Sequence, residues 1–377
     1  MRDGDRRGKT WFCGWLAGCF YVSLLCGCGI EDRAVGSGKP VRAGDAAAAT
    51  AVAKPAPIRV DLRWPTPNSA FADGKDYADF VQPTVSGDPR SGLFGSVRSG
   101  GRQFHEGLDL FPVTRDRKGE AADPVGAALA GVVRYVSHSG GNSNYGRYIV
   151  LEHPLEKPAV YTLYAHLQEV RPGLLPGSLV AAGELLGTMG RSSSGSPIPK
   201  ERAHLHFEIG LRATDNFAAW YADRGFGSPN PHGIWNGMNL LGVDPLALFT
   251  LHAKSGGLSR LTDFFADLPP ALTLRIARSM EPDFVRRYPE LVQPNSDSGV
   301  ASPGGWEITF TSSGLPFRWQ RLGAGEVLGW KPGEVRILKV DASLLAENRG
   351  RKIARQRAGK WVPHEDLESI LGQLFLR

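Results

Sequence analysis

Two histidines one residue apart lie in the run His204-Leu205-His206-Phe207-Glu208-Ile209, where apolar and polar side chains alternate. In an extended strand, residues i and i+2 share a face, so the two imidazoles project side by side. Imidazoles buried together need hydrogen-bond partners or a metal. Taken alone, the His-x-His unit fits a pair of solvent-facing strand histidines equally well. Far upstream, His105-Glu106-Gly107-Leu108-Asp109 supplies a histidine and a carboxylate, with a glycine between them that permits a tight backbone path. An imidazole, a carboxylate and an imidazole from the distant strand make three ligands of the kind zinc accepts. Three protein ligands with a position left for water mark a catalytic zinc, whereas a structural zinc closes with four. A further segment, Tyr164-Ala165-His166-Leu167, alternates in the same way. Four of the chain's nine histidines fall in these three segments, which concentrates its metal-binding and acid–base capacity there.

These side chains must be held by strands. After Asp109, short apolar runs at 127–130, 132–136, 148–151, 160–163, 185–189 and 205–209 are separated by Gly, Asn and Pro. Their spacing predicts an antiparallel β fold, with turn signals at Leu129-Ala130-Gly131 and Ala182-Gly183. Two small-residue polar loops, 137–147 and 191–203, are candidates for the walls of a binding groove, with plain surface loops as the alternative. The turn-rich segment 58–104 is expected to wall another side. All four cysteines, Cys13, Cys19, Cys26 and Cys28, precede residue 29, so the body of the chain has neither a disulfide nor a thiolate ligand.

In order along the chain, His105-x-x-x-Asp109, Tyr164-x-His166 and His204-x-His206 resemble the motifs of the M23 (lysostaphin/LytM-like) zinc metallopeptidases. The text between them is similar too: Gly131-Val132-Val133, then Asn144-Tyr145-Gly146-Arg147-Tyr148-Ile149-Val150-Leu151-Glu152-His153, then Gly183-Glu184-Leu185-Leu186-Gly187-Thr188-Met189-Gly190. The resemblance covers roughly residues 90–210. It implies a mainly β catalytic domain with a LytM/lysostaphin-like groove and Zn²⁺ on His105, Asp109 and His206. It also implies His166 and His204 as catalytic groups, one a base toward water and the other steadying the oxyanion. Which does which is left open. Glu208 is expected either to orient a ligand or to form a structural salt bridge. The implied substrate is the peptide cross-link of bacterial peptidoglycan. The alternative is a non-catalytic wall-binding activator of a peptidoglycan amidase; relatives of that kind lose ligands, and here all five positions are intact.

A hydrophobic content of 42% and a charged content of 22% over 377 residues allow two folded domains and a leader. The net charge of +6 suits an anionic partner such as a wall polymer, but no nucleic-acid module is recognisable. Residues 1–28 read as a lipoprotein-type signal peptide: Arg2, Arg6, Arg7 and Lys9 precede an apolar run ending in Leu25-Cys26-Gly27-Cys28. Cys28 is the preferred lipidation site. Leu16-Ala17-Gly18-Cys19 matches the consensus better but follows a shorter apolar run. An uncleaved anchor or plain secretion are the alternatives. Residues 29–57 read as a disordered linker, 58–250 as the peptidase domain and 251–377 as a small α+β domain of unassigned role. The expected location is the bacterial envelope, with the membrane as a partner through the lipid. In the region 211–250, Trp220, Tyr221, Phe226 and Trp235 are expected to cover the sheet more than to line a substrate site. In the C-terminal region, 258–266 and 271–280 are expected as helices, 306–310, 317–319 and 335–340 as strands, and 367–375 as a closing helix. The basic run from Arg349 to Lys360 is read as a solvated face, with an anionic envelope polymer or lipid as the other reading.

Overall fold

The computed structural model describes residues 59–294 and 304–376. The leader and linker expected in residues 1–57 lie outside the described residues. Strands β1 (Gly95–Arg98) and β2 (Gln103–His105) form a hairpin, and β3 (Leu108–Leu110) follows after the step Glu106-Gly107. Then come β4 (Pro124–Gly126), β5 (Gly131–Ser137), β6 (Tyr148–Glu152), β7 (Tyr161–Ala165), β8 (Glu169–Val170), β9 (Leu179–Val180), β10 (Leu185–Thr188), β11 (Leu205–Arg212) and β12 (Leu240–Val243). The main sheet is antiparallel in the order β12-β11-β7-β6-β5-β9, with β3 also paired to β11; β4, β10 and β8 form a smaller sheet. The fold is therefore mainly antiparallel β, as the spacing of apolar runs predicts. One run does not become a strand: β4 ends at Gly126, and 127–130 is a bend. Ala127, Ala128 and Leu129 are buried in the core there, so apolar content marks burial and not extension.

Along β11 every residue is buried. Leu205, Phe207, Ile209 and Leu211 enter the large core beneath the sheet. His206 and Glu208 alternate with them and point the other way, as strand geometry requires. On that opposite face, Tyr148, Val150, Tyr161, Leu163 and Ala165 form a second apolar cluster with Trp235 and Leu240. Trp220 and Trp235 are buried. The helix α1 (Phe217–Arg224) and the 3₁₀ turns that follow it thus act as cover over part of the sheet face. Helix α2 (Pro245–Lys254) starts at Asp244, whose carboxylate accepts from the backbone N–H of Leu246 at 2.9 Å and of Ala247 at 3.3 Å. Asp-Pro is thus an N-cap followed by proline at the first helical position.

Beyond α2, helix α3 (Leu261–Ala266) leads to β13 (Leu272–Ile276), followed by α4 (Asp283–Arg287), β14 (Gly305–Phe310), β15 (Pro316–Leu322), β16 (Val335–Val340), α5 (Ala342–Glu347), the hairpin β17 (Ala354–Arg357) and β18 (Lys360–Pro363), and α6 (Glu365–Leu374). A four-stranded sheet runs β15-β14-β13-β16. The expected helix over 271–280 is a strand. Leu272, Leu274 and Ile276 alternate with Thr273 and Arg275, and this period of two prevails because both neighbouring strands pair with the segment. The described residues cluster as one compact unit. The buried core continues from Val60 through Phe249 to Trp319 and Phe375. None of the described helices is long and apolar enough to cross a membrane.

Candidate metal centre and catalytic cleft

Strand register brings the expected ligands together. Asp109 on β3 lies opposite His206 on β11, and on the other side of β11 His206 lies opposite Ala165, the residue before His166. Facing residues of an antiparallel pair bring their Cβ atoms to about 4.5–5.5 Å. His105 reaches the same point from the end of β2. A Cβ added at Gly107 would lie 2.4 Å from the Phe207 carbonyl oxygen and 3.0 Å from His206 Cε1, so only glycine lets the backbone pass β11 this closely.

Three donor atoms converge. His105 Nε2 is 3.0 Å from His206 Nδ1 and 3.1 Å from Asp109 Oδ1, and His206 Nδ1 is 2.9 Å from Asp109 Oδ1. All three residues are buried. A tetrahedral zinc with bonds of about 2.0–2.1 Å needs ligand–ligand edges of about 3.3 Å, close to this triangle. Two imidazole nitrogens and a carboxylate oxygen converging away from water repel each other unless a cation joins them. The outer atoms of these residues fix their orientation. His105 Nδ1–H donates to the Leu93 carbonyl at 2.7 Å, and His206 Nε2–H to Glu208 Oε1 at 2.9 Å. In its neutral form each ring therefore turns a lone pair inward, as metal-binding histidines do. Glu208 in turn accepts from Tyr145 Oη at 2.6 Å and Tyr161 Oη at 2.9 Å. The two roles expected for Glu208 coincide in this contact, which both pairs with and orients His206. Asp109 Oδ2 takes an ion pair from Arg98.

Electrostatics agree with a cation site. Burial opposes charge on Asp109, but His105 and His204, with hydrogen bonds from His105 and His206, hold its carboxyl well below the usual range. Burial also opposes charge on His206, yet its bonds to Asp109 and Glu208 prevail and raise it to about 9. A positive charge between these two carboxylates is favoured, whether proton or metal.

His166 and His204 stand beside this triangle with ring centroids 4.7 Å apart. His166 Nδ1–H donates to the Ser192 carbonyl at 2.9 Å, and His204 Nδ1–H to the Arg202 carbonyl at 2.7 Å. Each Nε2 is left as a lone pair, and that of His204 lies 3.6 Å from Asp109 Oδ1. Burial depresses both imidazoles, His166 the more. His166 also adopts φ +60, a left-handed conformation unusual for a residue with a side chain.

An open cleft of about 510 Å³ exposes the site. Its walls come from three segments: Pro83, Thr84, Arg98, Phe104 and Glu106 on one side, Asn144 and Tyr145 on another, and Ser193 to Pro199 with Arg202 on the third. Both small-residue loops and the turn-rich segment thus border it. None of Trp220, Tyr221, Phe226 and Trp235 does. Sequence reasoning missed Arg98, Tyr145 and Tyr161, and it had no means of finding the carbonyls of Leu93, Ser192 and Arg202, which carry no side-chain signature.

Residues 103–216 match the family model described as Peptidase family M23. Among solved structures, the catalytic domain of a prophage-encoded M23 protein from Enterococcus faecalis is 21% identical, covers 35% of this chain and 80% of its own, and has a TM-score of 0.24. The catalytic domain of the antimicrobial peptidase lysostaphin from Staphylococcus simulans is 23% identical, covers 32% and 74%, and has a TM-score of 0.22. A zinc-containing peptidase from Vibrio cholerae is 26% identical, covers 40% and 37%, and has a TM-score of 0.26. No curated protein sequence matches the chain.

Proposed function

We propose that the chain, whose residues 103–216 match the family model described as Peptidase family M23, is a zinc-dependent endopeptidase that hydrolyses peptide cross-links of bacterial peptidoglycan. The observation that carries this reading is the convergence of His105, Asp109 and His206 on one point, with two further imidazoles presenting free Nε2 atoms in the same open cleft. The residues fit Zn²⁺: His105 and His206 would hold it through Nε2 and Nδ1, and Asp109 through Oδ1. When bound, the ion would supply a Lewis acid for the scissile carbonyl and would lower the pKa of a water to about 7.

The chain's own groups do the rest. One of His166 and His204, kept neutral by burial, accepts a proton at Nε2 from an attacking water. Once protonated, either one donates that hydrogen to the developing oxyanion or to the leaving amine. The carbonyls of Ser192 and Arg202 hold the two rings in the tautomer this requires. Glu208 and Arg98 orient His206 and Asp109, and Tyr145 and Tyr161 hold Glu208 in turn. A peptide reaching the site would meet Ser193, Ser196 and Pro197–Pro199 as well as Phe104, which all line the cleft.

We further propose that 58–250 is the catalytic segment and that the exported protein works in the bacterial envelope, anchored through a lipid on Cys28 or Cys19. The test of the main reading is metal analysis beside digestion of purified sacculi. One zinc per chain with release of stem peptides is expected, and mass spectrometry of the fragments identifies the bond. A folded chain that takes no zinc and leaves sacculi intact would sink the enzyme and favour the amidase activator.

A further inference from the structure

We propose that the C-terminal loop Asn348–Arg351 is part of the catalytic cleft's construction, with Arg351 a positioning residue for the wall formed by Phe104 and Glu106. The inference rests on the peptidase reading for its kinetic consequence, but the clamp itself is read from geometry alone.

Four consecutive residues of this loop grip the β1–β2 hairpin. Asn348 accepts a hydrogen bond from Ser96 Oγ through its side-chain oxygen. Gly350 N–H donates to Ser96 Oγ at 2.8 Å, and Arg349 Nη2 to the Gly100 carbonyl at 3.2 Å. Arg351 lays its guanidinium over the Phe104 ring, 4.2 Å from the centroid, and reaches Glu106 Oε1 with Nη2 at 3.4 Å. The approach is close enough to exclude a side chain at 350: an added Cβ would lie 2.7 Å from Phe104 N and 2.9 Å from Gln103 C. Phe104 also meets Phe94 edge-on at 5.1 Å, so its ring is held between Phe94 and a cation.

What the loop holds is the segment that matters. β2 ends in His105, β1 ends in Arg98, and Phe104 and Glu106 line the cleft on either side of His105. The hairpin is two short strands outside the main sheet. A lone two-stranded hairpin is marginal in water, so it needs an outside contact to stay in place. A cation over an aromatic ring is attractive, more so where partly shielded from solvent. Arg351 therefore fixes the ring's tilt and neutralises Glu106, which sets the shape and charge that a peptide meets beside the metal position. Two members of the basic run thus contact the hairpin that carries His105, and are not both plain solvated charges.

The test uses the full chain with Arg351→Gln, Arg351→Lys and Gly350→Val. Backbone hydrogen exchange without substrate is expected to rise about tenfold or more over 95–105 in Arg351→Gln and Gly350→Val, while β13–β16 amides keep their rates. Arg351→Lys, which keeps the cation, is expected to restore most of the protection. With stem-peptide substrate, KM is expected to rise several-fold in Arg351→Gln with kcat and zinc content little changed. Unchanged exchange at 95–105 in both Arg351→Gln and Gly350→Val would overturn the clamp, as would a rise spread evenly over the molecule. A clamp seen by exchange in a chain without peptidase activity would instead count against the proposed function.

Discussion

At the scale of single residues, the proposed site separates side chains that would hold a cation from side chains that would handle protons. Removing His105, Asp109 or His206 leaves two ligands and a buried mismatch of charge. Zinc is therefore expected to be lost in His105→Ala, Asp109→Ala and His206→Ala. In His166→Ala and His204→Ala zinc is expected to stay while turnover of peptidoglycan falls by about 10²–10⁴-fold, the usual contribution of a general acid–base group. Metal analysis beside turnover distinguishes the classes, and zinc loss in His204→Ala with retention in His206→Ala would exchange their assigned roles. Glu208 belongs to neither class. It touches His206 on the side away from the metal position, and it is buried with two tyrosine hydroxyls donating to it. Glu208→Gln keeps the size but loses the charge, and a weakening of zinc affinity by about 10–100-fold is expected from competitive chelator titration.

Strands and turns determine whether those residues meet. Gly107 bears no ligand, yet the path from His105 to Asp109 depends on it. The Phe207 carbonyl occupies the place of a Cβ, so Gly107→Ala must push β3 off β11 and separate Asp109 from His206. Zinc affinity is expected to drop at least tenfold with all ligands intact, and an unchanged affinity would refute this account of the register. A second element-scale effect sits at the end of β6. His153 Nδ1–H donates to the Ala130 carbonyl at 2.9 Å, and Nε2 accepts from Thr162 Oγ1 at 2.8 Å, joining β5, β6 and β7. Burial lowers its pKa from 6.5 to about 4. The folded chain thus binds fewer protons than the unfolded one across this window. The stabilisation is complete above pH 6.5 and is lost as pH falls toward 4, about 3 kcal/mol in all at about 1.36 kcal/mol per pKa unit. Urea unfolding at pH 7 and pH 4 should show a smaller decrease in His153→Gln than in the native chain by roughly that amount. The ligand strands were legible because polar residues at every second position of an apolar run are costly unless used. The β13 segment was not, because Leu272, Leu274, Ile276 and Met280 satisfy a helical spacing as well as an alternating one until neighbouring strands decide. Arg98 was not legible either. It meets Asp109 only through the β1–β2 turn, whose register nothing in the local sequence specifies.

For the molecule as a whole, the question is how far the catalytic segment stands by itself. The motifs end at His206, and the capped start of α2 at Asp244 reads as a closing signal, which motivates the proposed division at 250. Across that point the contacts are numerous and specific. Val60 N–H donates to the Leu258 carbonyl at 2.8 Å, Arg212 N–H to Tyr288 Oη at 2.9 Å, and Thr214 Oγ1 to Asp283 at 3.0 Å. Arg287 Nη2 donates to the Arg212 carbonyl at 2.9 Å, and Gln373 Nε2 to the Met238 carbonyl at 2.9 Å. Each buried group left unpartnered costs about 1–3 kcal/mol, against a total stability of about 5–15 kcal/mol for a typical domain. Removing 251–377 also takes away α6, which packs against α1 beside the buried Trp220. A 58–250 fragment is therefore expected to keep the ligand sequence yet bind a hydrophobic dye, aggregate on warming and melt at least 10 °C below the full chain, roughly what a few kcal/mol means at 2–4 °C per kcal/mol. Calorimetry and light scattering of the two proteins side by side decide the matter. A monomeric fragment melting within a few degrees of the full chain, with its zinc in place, would mean that the C-terminal region rests on the catalytic segment without supporting it.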